Sequence, residues 1–166
     1  MFNRIVMPVI VAAALGASAP AQAQLLQRKD LSLDTALAIA ANASALCKSQ
    51  GYNVTVVVLD RAGETMVLLR GDNAVPHTVE NARRKAYTAR TLRLPSSEFA
   101  KRIEDPAHHV ARAQNTLPGF VALGGALPIK VGDDTIGAVG VSGAPGGERD
   151  EVCAKAGLDK VANQLN

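Results

Sequence analysis

A tight turn between two β-branched runs restricts what this chain can become. Residues 52–59 hold Val54-Thr55-Val56-Val57-Val58-Leu59, Asp60-Arg61-Ala62-Gly63 follow as a turn, and a second apolar run returns over 65–70. A connection that short joins antiparallel strands only, because a parallel crossover needs about a dozen residues or more. Three further strand-like runs, 120–123, 126–131 and 135–142, are separated by Gly124-Gly125 and by Gly132-Asp133-Asp134. These close spacings exclude an all-parallel doubly wound sheet.

Helix signals fill the rest. Leu33, Ala36, Leu37, Ala40, Ala43 and Cys47 recur at helical spacing behind the capping candidates Ser32 and Asp34, and Gly51 closes the run. Pro76 opens a helix predicted to reach Thr91, and Pro95-Ser96-Ser97 opens a shorter one over 95–103. Residues 104–117 read as part helix and part loop. A last helix is predicted over 148–165. The order is α-β-β-α-α-β-β-β-α, and the expected fold class is α+β: a central five-stranded antiparallel sheet flanked by helices.

Residues 1–23 read differently from the rest. A single Arg4 precedes an apolar run over 5–15, and small residues lead to Ala21-Gln22-Ala23. This is the pattern of an export signal cleaved after Ala23. The run is well short of the ~20 residues that cross a bilayer, so no stable membrane insertion is expected after cleavage. The expected product, 24–166, is one domain with no repeat or linker, exported to a periplasmic or external space. The formal charge of +3, with acids and bases interspersed, does not suit a nucleic-acid backbone, and 3% aromatic residues do not suit a stacking surface.

Export changes the reading of the two cysteines. Cys47 falls in the last turn of the first predicted helix and Cys153 near the start of the last one. Antiparallel packing of these helices on one sheet face would bring the two thiols together as a disulfide; the alternative is a pair of buried thiols. No Cys-x-x-Cys accompanies either, so a redox-active role is not indicated.

Candidate chemistry centres on the helix that starts at Pro76. His77 and Glu80 stand three residues apart and could share one face toward a metal, although two ligands do not complete a site. Arg83, Arg84, Lys85 and Arg90 follow, enough charge to hold a carboxylate-bearing ligand, or else a solvated face. His108-His109 lies in the ambiguous stretch, where either ring could face a cleft or solvent. Gly143-Ala144-Pro145-Gly146-Gly147 precedes a helix but lacks the Lys-Ser/Thr of a nucleotide loop, and tight turning explains the glycines as well. No Gly-x-Ser-x-Gly, Cys-x-x-Cys-His or zinc-protease histidine spacing is present.

Several runs together resemble the GlcG/HbpS family, which is related to the C-terminal domain of PduO-type corrinoid adenosyltransferases. They are Val57-Val58-Leu59-Asp60-Arg61-Ala62-Gly63-Glu64, Ala82-Arg83-Arg84-Lys85-Ala86-Tyr87-Thr88-Ala89, Leu117-Pro118-Gly119-Phe120, Gly124-Gly125-Ala126-Leu127-Pro128-Ile129 and Ile136-Gly137-Ala138-Val139-Gly140-Val141-Ser142-Gly143. The resemblance implies a profilin-like layered sandwich, homo-oligomers and binding of haem or a related tetrapyrrole. It directs attention to His77 as an axial iron ligand and to Thr78, Arg84, Lys85, Tyr87, Thr88 and His108 as ligand-binding candidates. Two other functions are consistent with the residues: an enzyme acting on a small organic acid, with His77 or His108 as base beside Arg84 or Lys85, and an oligomeric accessory module without chemistry of its own.

Overall fold

The structure, a computed structural model, describes residues 24–165. The expected export signal, residues 1–23, lies outside them. Helix α1 (Leu33–Ser49) begins where Ser32 accepts a hydrogen bond from the Thr35 amide at 3.2 Å, and Asp34 and Lys48 sit at the ends the helix dipole favours. Strands β1 (Thr55–Leu59) and β2 (Thr65–Arg70) form the expected hairpin. Helices α2 (His77–Leu92), α3 (Ser96–Glu104) and α4 (His109–Gln114) follow, then β3 (Ala126–Val131), β4 (Asp134–Ser142) and α5 (Gly147–Lys160), with a final 3₁₀ turn at Ala162–Gln164.

The sheet has four strands in the order β2-β1-β4-β3, every pair antiparallel. The expected fifth strand over 120–123 does not form. Its apolar composition suits a strand, but the backbone there is held by α2 instead: the Val121 amide donates to Thr88 Oγ1 at 3.1 Å, and the Phe120 carbonyl accepts from Arg84. Phe120 turns into a small cluster with Phe99 and Ala111, flanked by Tyr87. Helix side chains thus satisfy the polar groups that a sheet neighbour would have taken. The final helix is also shorter than its pattern, stopping at Lys160 before the 3₁₀ turn.

Both faces of the sheet are covered. Val56, Val58, Val139 and Val141 pack with Ile39, Ala40 and Ala43 of α1 and Ala154 of α5. Val57, Leu59, Ala126 and Ala138 pack against Ala82, Ala86 and Ala89 of α2. Because β1 is covered on both sides, all five of its residues are buried, which is why its sequence is a continuous apolar run and not an alternation. The α2 interface is built from small residues so that helix and strand can approach closely. A Cβ placed on Gly140 would fall 2.8 Å from the Ala86 amide nitrogen and 2.9 Å from its Cβ. On the other face, Cys47 and Cys153 are joined by a disulfide with Cα atoms 5.6 Å apart, tying the end of α1 to the middle of α5.

Candidate functional site

Helix α2 carries six of the seven residues singled out from sequence, and their surroundings divide them sharply. His77, the first helical residue, is exposed, and its imidazole has no hydrogen-bond partner among the described residues. Thr78 is buried. Its hydroxyl donates to the Val75 carbonyl at 2.6 Å, so the 2.8 Å contact with Thr55 Oγ1 draws its proton from Thr55. Arg84 donates to the Phe120 carbonyl, and the Thr88 hydroxyl bonds the Arg84 carbonyl at 2.9 Å. Tyr87 stands edge-on to Phe120, with ring centroids 5.7 Å apart, and its two edges lie against Gly63 and Gly119. His108 sits apart, exposed before α4, with Nδ1 3.0 Å from Asp105 Oδ2. The Ala107 amide, and after it His108, hold the Asp105 carboxyl below the usual carboxylate range.

The His77–Glu80 pair is not poised as a metal site. Both Glu80 oxygens are taken by Arg83, at 2.9 and 2.7 Å, and among the described residues no three His, Cys, Asp or Glu side chains converge.

Lys85 has the deepest engagement. Its Nζ lies 2.7 Å from Asp150 Oδ2 and 3.2 Å from the Val141 carbonyl, with side-chain exposures of 5% and 3% for the two charged partners. The second Asp150 oxygen accepts from the Ala144 amide at 2.9 Å, so the pair clamps the 143–146 turn and α5 onto α2. Burial pushes the Asp150 carboxyl above its ordinary range, against the opposing pull of Lys85 and the Ala144 amide. Gly125, at φ +121°, leaves the room this contact needs: a Cβ there would fall 2.9 Å from Lys85 Nζ. Nothing in sequence paired residues 85 and 150; Lys85 read as part of a basic run.

A cavity of about 810 Å³ opens at the opposite end of α2, and none of the seven candidates lines it. The C-terminal end of α2 supplies Arg90 and Arg93, the β1–β2 turn supplies Asp60 and Arg61, the start of β4 supplies Asp134 and Thr135, and the lead-in to α1 supplies Arg28 and Asp30. All three side-chain nitrogens of Arg61 are engaged. It bonds Asp30 at 2.5 Å, Asp134 at 2.9 Å and the Lys29 carbonyl at 2.6 Å, pinning the lead-in over the cavity. Arg90 donates to the Arg61 carbonyl while its Nε is buried without a partner. Sequence reading registered Arg90 only within the helix run. The other contributors are scattered over more than 100 positions, so no local pattern could assemble them.

Comparison with known proteins places this geometry in context. The family model described as haem degrading protein HbpS-like matches residues 31–159. An uncharacterised 15.0 kDa protein from the dhaT-dhaS intergenic region of Citrobacter freundii is 34% identical over 114 residues, covering 68% of this chain and 80% of the relative. Protein GlcG of Escherichia coli (strain K12) is 31% identical over 112 residues, 68% of this chain and 81% of its own length. Among solved structures, a double mutant of Streptomyces reticuli HbpS aligns with a TM-score of 0.76 at 38% identity, covering 86% of this chain and 97% of that one. A PduOC complex with haem shares the fold, with a TM-score of 0.72 at 22% identity over 80% of this chain and 95% of that one.

Proposed function

We propose that this chain, which belongs to the HbpS-like family, is an exported small-ligand-binding protein whose ligand is haem or a related tetrapyrrole. The observation that carries the reading is the His77 imidazole, exposed and without a hydrogen bond at the start of α2. An imidazole that spends neither nitrogen inside the protein is available as a donor for iron. The fit is to a surface association. Tyr87, Phe99 and Phe120 belong to one packed cluster, and Val75, two residues before His77, offers an aliphatic side chain that is 49% exposed. Among the described residues Arg83 is bound only to the exposed Glu80 and could exchange that partner for a propionate, while Arg84 would have to release the Phe120 carbonyl. Bound haem would supply a redox-active, Lewis-acidic iron. The protein's part is to hold and orient it.

Export is supported by the signal-like pattern of residues 1–23 and by the Cys47–Cys153 disulfide, a linkage that persists in oxidising compartments. Homo-oligomers are supported by Leu33 and Leu37, one helical turn apart on α1 and 54% and 42% exposed. Titrating the protein with haem while following the Soret band tests the central claim. His77→Ala is expected to abolish the Soret shift; an unchanged spectrum and affinity in that variant would remove His77 from the site.

A further inference from the structure

We infer that the arginine-lined cavity at the C-terminal end of α2 is a second site, taking a small polyanion with carboxylate or phosphate groups. The inference stands apart from haem binding, since His77 does not line this cavity. Its volume of about 810 Å³ lies within the range of small-molecule pockets, roughly 300–1,000 Å³. Four arginines face three aspartates, but the pairing is uneven. Asp30 and Asp134 both converge on Arg61, and one Asp60 oxygen accepts from the Glu64 amide at 2.9 Å in the hairpin turn. Arg28, Arg90 and Arg93 have no carboxylate partner among the described residues.

Two buried polar atoms reinforce the case. Thr135 is 4% exposed, and its hydroxyl has no hydrogen-bond partner among the described residues; Arg90 Nε is likewise unpaired among them. Buried donors left unmade are costly, and both belong to residues that line this cavity, so a guest that drew either side chain toward it would supply the acceptor they lack. Burial, with the charges of Arg61 and Arg93, pulls the Arg90 guanidinium below its ordinary range, a repulsion that an anion would relieve. Guanidinium forks recognise carboxylate and phosphate oxygens in pairs, and the backbone at Arg93, in the left-handed conformation at φ 60°, turns the chain out of the helix at the cavity rim.

The test is calorimetric titration of the full disulfide-bonded protein at low salt with citrate and with pyrophosphate. Binding of either is expected, and the preferred one assigns the carboxylate or phosphate class. Arg93→Ala should weaken binding by about tenfold or more, the loss of one charge-assisted contact. Thr135→Val, which keeps the shape and deletes the hydroxyl, should weaken it severalfold. Arg93 is exposed, so its variant decides the matter even if Arg90→Gln fails to fold. His77→Ala should leave these affinities unchanged, which separates failure here from failure of the haem reading. Absence of binding by both probes at millimolar concentration, or equal affinity in Arg93→Ala, would overturn the assignment.

Discussion

Lys85 brings a full charge into a position where its side chain is 5% exposed, and Asp150 at 2.7 Å, helped by the Val141 carbonyl at 3.2 Å, makes that tolerable. Breaking such a pair from one side strands the other charge. Lys85→Met is therefore expected to cost about 3–5 kcal/mol in chemical denaturation. Lys85→Met with Asp150→Leu should recover much of the loss, because both charges then leave together; strictly additive costs would show that the two are not coupled. The surface pair contrasts with it. Arg83 holds the Glu80 carboxyl below its usual range, so this stabilisation is present at neutral pH and fades as pH falls through the depressed folded value. With Glu80 57% exposed, solvent screening limits it to about 0.3 kcal/mol. Glu80→Gln should show that small deficit at neutral pH and none in strong acid. In the sequence Lys85 stands within a basic run, and its partner lies 65 positions away, so only the folded topology reveals the pair.

At the level of elements, the legible parts were those whose pattern and environment agree. The β1–β2 hairpin, the Ser32-capped α1, and the α2 that follows Pro76 all declare themselves locally. Residues 120–123 did not, because composition records apolarity but not which neighbour satisfies the backbone; here Arg84 and Thr88 of α2 do so. The contact of α2 with β4 depends on the absence of a side chain at Gly140. Gly140→Ala would force a methyl against the Ala86 backbone, at an expected cost of about 1–3 kcal/mol or more. A fall in denaturation midpoint with an unchanged slope would check it. The strain should be local to that interface, leaving the α1–α5 side intact.

The molecule as a whole is three layers, with α1 and α5 on one face of the sheet and α2 on the other. Light scattering on a sizing column tests the proposed self-association: more than one copy is expected, and Leu37→Asp should shift the population toward single chains. The arginine cavity belongs to this scale as well, since it exists only where the lead-in, the β1–β2 turn, the start of β4 and a helix end meet. The disulfide closes a loop spanning 106 positions, and replacing both cysteines by alanine should lower stability by about 4–5 kcal/mol in the loop-entropy account. There is a covalent consequence too. From residue 47 to residue 153 the polypeptide is a ring, and one protease cut in an exposed connection such as the 105–108 stretch would open that ring without parting the halves. Such a clipped protein should migrate as a single species on a non-reducing gel and separate into two only when a thiol is added.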